Sequence, residues 1–462
     1  MTSRSELRVT VCPELSAVSA SAWDALLEPD DAPLLSWAYL EGLESTGCVG
    51  KDTGWLPLHL LVHRLDDPRD EDGQLVAAAP AYVKLHSEGE WVWDQEWPEL
   101  TAAFGERYYP KLVLAVPFNP VTGGRLLTLP SLPEEHRRDL RALLLRAAQR
   151  LCQTEGIGSA HLLFPRGPGF RDDRAPEIGS QLDVVTDAEF WPRRQTQYHF
   201  HNQGYRSFTD FLAELRSHRR NTIRRERRQL ADAGITVETF SGLAQHAEAQ
   251  RAANNGDGPP RFSVAWLDQM FDMYVATSIR YTGEPPYLNR AFFQVCAERL
   301  GDRLELVLAH SRDGELLAGA WNLRGDSRRF GRYWGERTTV PFLHFEVCFY
   351  HPIERCIADG YQAFEPGHGG DQKLLRGFQP SFTYSAHWFA QPTLHQIVGQ
   401  YLSKESGFID AVRGFELRRC PLRNVNQVEP APTDLSVHPS QGTATEPAKR
   451  QSNRTTSDDK HD

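Results

Sequence analysis

The fold of this chain turns on residues 332–388, which read R-Y-W-G at 332–335, P-F-L-H-F-E-V-C-F-Y at 341–350, F-E-P-G-H-G-G-D-Q-K-L-L-R-G-F at 364–378 and T-Y-S-A-H-W at 383–388. Arg328 to Trp334 has the composition of a strand. Leu343 to Asp359 has helical periodicity and stops at Gly360, a residue suited to the position after a helix. Phe364 and Thr383 to Trp388 are short strands on either side of a glycine turn. Strand, helix, strand, turn and strand in succession predict a mixed α/β layer. Aromatics, glycines, cations and titratable groups crowded together are costly in a plain core and useful around a charged substrate.

Outward from there the element pattern occurs twice. Leu304 to His310 and Leu316 to Leu323 form a strand pair before the third strand, and Val264 to Ser278 and Arg290 to Leu300 read as helices before that pair. Ser207 can cap a helix from Phe208. A basic helix spans Arg216 to Ala233, and a strand covers Ile235 to Phe240. Towards the N-terminus, Ala17 to Glu44 is helical in two pieces. Leu58 to Val62 and Leu75 to Val83 are strands, as are Lys111 to Val116 and Arg125 to Leu129. Glu134 to Glu155 carries a helical stripe of Leu140, Leu143, Leu144, Ala147 and Leu151, and His161 to Phe164 is a buried strand. The order helix, antiparallel strands, helix, strand therefore recurs. It predicts two α/β domains with mixed sheets, at 1–190 and 191–425. A tail at 426–462, poor in aromatics and rich in Ser, Thr, Pro and Gln, is expected to be disordered.

Four stretches can carry chemistry. Gly367, Gly369 and Gly370 let backbone groups approach an oxyanion, and Lys373 and Arg376, three apart, share a face on a helical turn and could clamp a phosphate. The plainer reading is an ordinary glycine-rich connection with solvated cations. Glu346 lies among aromatics that would raise its pKa and suit it to general base work, or it merely complements a helix dipole. Pro352 implies a kink there or a later helix start. R-R-N-T-I-R-R-E-R-R at 219–228 would place Arg220, Arg224, Arg227 and Arg228 on a basic face with Ile223 and Leu230 inward, fit for RNA phosphates or an anionic headgroup; otherwise it is a solvated helix with local pairs such as Glu226. W-V-W-D-Q-E-W at 91–97 suits core packing or a groove. His199 and His201 share a strand face but lack a suggestively spaced third ligand, so no metal site is expected.

The formal net charge of -10 argues against a general polyanion binder. Seven cysteines without C-x-x-C spacing suggest free thiols in a reducing compartment. Neither a secretory leader nor an eighteen-residue apolar run is present, so a cytoplasmic location is expected.

Residues 34–405 resemble the FemAB-like group of the GNAT acyltransferase superfamily, in particular the bacterial family labelled peptidoglycan biosynthesis or recognition. The resemblance is carried by L-L-S-W-A-Y-L-E-G-L-E, G-E-W-V-W-D, Y-Y-P-K-L-V-L-A-V-P-F-N-P-V-T-G-G-R-L-L, H-N-Q-G-Y-R-S-F-T-D-F-L, R-R-N-T-I-R-R-E-R, G-R-Y-W-G, H-F-E-V-C-F-Y and the glycine block. It implies two tandem GNAT-like domains and transfer of an acyl or aminoacyl group from coenzyme A or aminoacyl-tRNA to an amine on a small or lipid-linked substrate such as a cell-wall precursor. No tightly bound cofactor is implied. Relatives read G-A-Q-G-E-H-K where this chain has G-H-G-G-D-Q-K, so Asp371 and Gln372 replace Glu and His, and His368 is the nearest substitute. The usual coenzyme A loop is not clearly present.

On this resemblance Gly367, Gly369, Gly370, Lys373 and Arg376 would hold the donor. Glu346 or Asp371 would be the base, and Tyr333 and Tyr384 would orient the reacting groups. Arg220, Arg224, Trp334 and His344 would meet the substrate or tRNA. Rival readings are a non-catalytic module binding a cell-wall precursor or RNA, and a peripheral membrane protein anchored by Trp91, Trp93 and Trp97.

Overall fold

In the computed structural model, which describes residues 6–29, 31, 33–65, 73–168, 180–244 and 260–423, the recurring element order becomes one layered α/β molecule. The tail expected at 426–462 lies outside the described residues. The first half contains β1 (Glu6–Cys12), α1 (Ala20–Asp24), α2 (Trp37–Ser45), β2 (Trp55–Pro57), β3 (His59–Leu65), β4 (Gln74–Ala79), β5 (Ala81–Lys84), α3 (Trp97–Ala103), β6 (Lys111–Leu114), β7 (Leu127–Thr128), α4 (Glu134–Glu155) and β8 (Ser159–Leu163). The second contains β9 (Trp191–His201), α5 (Phe208–Glu214), α6 (Ser217–Asp232), β10 (Thr236–Ser241), α7 (Val264–Thr282), α8 (Arg290–Arg299), β11 (Leu304–His310), β12 (Leu316–Arg324) and β13 (Arg328–Glu336). It continues with α9 (Leu343–Phe345), a π-turn (Glu346–Tyr350), α10 (His351–Ala358), β14 (Ala363–Glu365), α11 (Asp371–Leu374), β15 (Gln379–Phe389) and α12 (Pro392–Arg419).

The expected mixed α/β architecture is what the chain adopts. An eleven-stranded sheet runs β10-β11-β12-β13-β14-β9-β15-β8-β6-β5-β2, and a four-stranded sheet runs β1-β3-β4-β7. Two parallel pairs mark equivalent places in the halves: β6 with β8, and β13 with β14. β15, the last strand of the second half, then reaches across to the first. β9 pairs with β14 of the second half, and β15 pairs with β8 of the first, while β9 and β15 pair with each other. This pairing joins the halves through continuous backbone hydrogen bonding. Side-chain packing reinforces it, since Asn289 Nδ2 before α8 donates to the Thr46 carbonyl after α2 at 2.6 Å.

Local chemistry explains most element starts. Ser36, Ser207, Ser263 and Asn289 accept hydrogen bonds from the backbone N–H three residues on, capping α2, α5, α7 and α8. Pro352 causes no kink in a continuous helix. It sits in the first turn of α10, where no backbone donor is needed, and the π-turn before it absorbs the change of register. Four elements carry no sequence expectation, namely β1, β2, α3 and the 28-residue α12.

The helix α7 lies directly on β13. A Cβ built on Gly335 would stand 2.4 Å from the Met273 carbonyl carbon and 2.6 Å from the Tyr274 nitrogen, both backbone atoms that cannot yield without moving the helix. Gly335→Ala is therefore expected to lower unfolding stability by at least about 1–3 kcal/mol, read as a fall in thermal midpoint.

Candidate active site

Opposite Trp321 and Asn322 the register of β12 and β13 slips, pairing Trp321 with Tyr333 and Asn322 with Gly331, so Arg332 is an extra residue on β13. Such a bulge re-aims the strand. The parallel pairing with β14 covers only Arg328 to Phe330. Beyond it β13 keeps its pairing with β12 but its other edge has no strand beside it, because β14 ends and the chain leaves through Pro366 and the glycine turn. Gly367, Gly369 and Gly370 have φ of 89°, 68° and 95°, a region that strains any residue with a Cβ. At Gly331 a Cβ would press on the Phe364 ring at 3.1 Å and on Pro366 Cα at 3.2 Å. The two strands thus close together at Gly331 and splay apart after it.

The splay opens into a cleft of about 1240 Å³. Its walls include Tyr333, Trp334, His344, the glycine turn and Lys373 from the second half, with Trp91 and Phe118 from the first. A side arm of about 460 Å³, lined by Cys48, Asp52 and His86, shares Glu88, Phe118 and Tyr287 with it. Phe118 and Tyr287 stack there at 4.9 Å. Arg332 Nη2 donates to the Phe118 carbonyl at 2.6 Å and pins the first half's loop to the bulge. The Trp91 ring lies 5.4 Å from that of His368.

Lys373 is the buried cation of this wall. Only 5% exposed, its Nζ donates to the carbonyls of Gly367 at 2.7 Å and His368 at 3.1 Å, and it has no carboxylate partner among the described residues. Burial lowers its pKa to about 8, with nearby Arg332 acting in the same direction and Cys348 opposing. Between about pH 8 and its ordinary 10.5 the folded chain therefore holds less proton at this site than the unfolded chain. Lys373 accordingly opposes folding below pH 8, and that penalty fades as pH rises through the window. An anion held by the ammonium should bind more weakly as pH passes upward through about 8. Inorganic pyrophosphate titrated calorimetrically at about pH 7 and about pH 9 checks the sign, and the difference should vanish in Lys373→Met.

His344 lines the cleft within a cage of Trp334 at 5.1 Å, Phe349 at 5.2 Å and Phe345 at 5.7 Å. Burial first, then Lys373 and Arg376, lowers its pKa to about 4, so the imidazole is neutral at neutral pH. Tyr333 is packed between Tyr274 at 5.0 Å and Trp321 at 5.5 Å.

Other expected site residues stand elsewhere. The one-turn α11 ends at Leu374, so helical spacing no longer holds at Arg376 and the expected pair with Lys373 does not form a clamp. Arg376 turns inward instead. Its Nε donates to Tyr350 Oη at 2.8 Å, Nη1 to Gln372 Oε1 at 2.8 Å and Nη2 to Glu226 at 3.4 Å, and its guanidinium lies 3.3 Å over the Phe345 ring. Glu346 faces α6, where Arg227 Nε reaches its Oε2 at 2.9 Å and Nη2 its Oε1 at 2.9 Å. Asp371 is exposed at the start of α11. Tyr384 is buried against Gly167, whose added Cβ would meet its ring. Arg220 and Arg224 lie on α6, outside the cleft walls. The Gly369 N–H is taken by Gln197 Oε1 at 3.1 Å.

Glu226, expected as a solvated partner, is buried. Its signal was present, because it falls with Ile223 and Leu230 on the inward stripe of α6. Trp91 and Phe118 reach the cleft by tertiary folding alone. Trp97, grouped with Trp91 and Trp93 as an interfacial anchor, is buried against Tyr108 and His387. His199 and His201 are held neutral, both with pKa lowered to about 3 by burial. Among the described residues no group of three His, Cys, Asp or Glu side chains could hold a metal. Nor, among them, is any helix long and apolar enough to cross a membrane.

A family model described as FemAB-like, peptidoglycan biosynthesis/recognition, matches residues 14–423. No curated protein matches the chain. Among solved structures, FemX is similar at 12% identity with a TM-score of 0.45, over 83% of this chain and 98% of that one. The structure of L-PGS from Bacillus licheniformis is similar at 12% identity and TM-score 0.41, covering 81% and 98%. A tandem GNAT protein from the clavulanic acid biosynthesis pathway gives 12% and 0.38, covering 84% and 99%.

Proposed function

We propose, from the premise that this chain belongs to the FemAB-like family of peptidoglycan biosynthesis/recognition proteins, that it is an N-acyltransferase working in the β13–β14 splay. The two halves are then tandem GNAT-like units, with the reacting groups meeting where Lys373 faces the cleft. The observation that carries this reading is the buried ammonium of Lys373, which has two backbone carbonyls for company and an open cavity before it. Such a group is stabilised by an anionic or carbonyl-bearing ligand and penalised without one.

The donor is an acyl-CoA or an aminoacyl-tRNA, whose acyl carbonyl lies along the free edge of β13 and whose negative charge meets Lys373. The acceptor amine, on a small or lipid-linked cell-wall precursor, attacks the carbonyl carbon. A C–N bond forms, the bond to the donor's sulfur or oxygen breaks, and the nitrogen's proton passes to the leaving atom. The neutral imidazole of His344, which lines the cleft, would relay that proton. This assigns to His344 the base role expected of Glu346 or Asp371, because Arg227 engages Glu346 and water surrounds Asp371. Alignment in the cleft supplies much of the rate.

The test offers acyl-CoA and aminoacyl-tRNA donors with amine acceptors to the full chain, following both binding and product. Turnover with one donor, lost in Lys373→Met, supports the reading. Retained affinity for every donor in Lys373→Met defeats the site, and binding without turnover points to a recognition module.

A further inference from the structure

The long helix α12 packs Leu394, Val398 and Leu402 inward against β9 and β15, yet much of its outer face is apolar. Tyr401, Phe408 and Phe415 recur at seven-residue intervals, with Ile397 beside the first, and all four are exposed. Phe408 is 68% exposed and Phe415 52%, a large cost in water for a monomeric surface.

The acidic residues of this helix are drawn inward. Glu405 pairs with Arg193 at 2.7 Å, Asp410 pairs with Arg194, and Glu416 accepts from Tyr198 Oη at 2.6 Å. The charges left outward are Lys404, Arg418 and Arg419, the last lying over the Phe415 ring at 5.4 Å. The end of α12 meets the start of the arginine helix, where Arg216 N donates to Pro421 O at 2.9 Å. On α6, Arg219, Arg220 and Arg224 have no ion pair among the described residues. At the other end of the stripe, Arg193, which pairs with Glu405, also donates to the backbone carbonyl of Trp93, a residue 58% exposed and two positions from Trp91 of the cleft.

We propose that this surface, from Trp93 along α12 to the arginines of α6, docks the protein on an anionic lipid bilayer, independently of the transfer chemistry above. Aromatic rings sit at the acyl–headgroup boundary while Lys404, Arg418 and Arg419 extend to lipid phosphates. A chain of net charge -10 would otherwise be repelled by that surface, so the local cationic field decides the orientation. A second copy of the chain fits less well. Pairing through the seven-residue seam would bury Lys404 and Arg418, which occupy its alternate column, without carboxylates to meet them.

Vesicle flotation of the full chain tests this. Phosphatidylcholine vesicles containing phosphatidylglycerol should carry the protein and pure phosphatidylcholine vesicles should not, with added salt weakening the association. The double variant Phe408→Ser, Phe415→Ser should lose at least about tenfold in binding with its thermal midpoint unchanged. Arg418→Gln with Arg419→Gln should lose about fivefold per arginine. Absent flotation, or equal flotation of both variants and the native chain, overturns the proposal. So does a dimer abolished by the aromatic changes, or RNA binding, in a protein that ignores vesicles.

Discussion

Lys373→Met is expected to reduce acyl transfer by about 10²–10³-fold, the range found when one preorganised donor at a developing negative charge is removed. The loss should appear in kcat/KM and in donor affinity together, because on the proposed reading the ammonium would face the ligand before and during reaction. Methionine keeps the length and fills the space under the glycine turn, so the fold should persist. Desolvation should even be eased, since a lysine held at a pKa of about 8 costs energy to bury charged. The hydrogen bonds to Gly367 and His368 are lost in the process, and some loosening of the turn will follow. Lys373→Arg separates the effects, because it keeps the charge but cannot occupy the same small pocket between two carbonyls. It should recover part of the donor affinity and little of the rate. Steady-state kinetics with a direct donor-binding measurement decides the matter, and unchanged values for both in Lys373→Met would remove this lysine from the site.

Arg376→Met should do something different, lowering stability by about 3–5 kcal/mol, as expected when one partner of a buried ion pair is deleted and the other is left behind. Glu226 would retain only the Tyr350 hydroxyl, and Phe345 would lose the guanidinium over its ring. That is a large share of an ordinary folding free energy of about 5–15 kcal/mol. Denaturant titration is the measurement. Glu226→Gln, which keeps a hydrogen-bonding group of the same shape, should cost less, and the pair of changes together should cost less than their sum. Equal and additive losses would mean that the two side chains do not act as one unit.

These two residues, three apart in one loop, show how far the chain's own text reaches. Both cations were visible beside the glycines, and helical spacing put them on one face. Folding separated them, because α11 stops after four residues and the chain turns at Gly377. Periodicity informs about a face only while the helix lasts. Glu346 was visible too, but what decides its surroundings is Arg227, 119 residues earlier in the chain. No local pattern encodes that distance. The helix α12 has no clear sequence signal for a related reason. Its inner stripe of Leu394, Val398 and Leu402 is offset by an outer stripe that is also apolar, so the usual contrast between faces is blurred.

Composition and periodicity by themselves determined the mixed α/β class, the order of nearly every element and the glycine turn with its lysine, because helix caps, strand alternation and positive-φ turns are local bargains between neighbouring residues. Only the tertiary structure decided that β15 joins β9 of its own half to β8 of the other, that Trp91 and Phe118 wall a cleft belonging to residues two hundred positions away in the chain, on the order of a whole domain, and that Lys373 rather than Arg376 faces it. Those outcomes depend on which buried charges find partners and which surfaces exclude water, and such terms are summed over the whole molecule rather than along it.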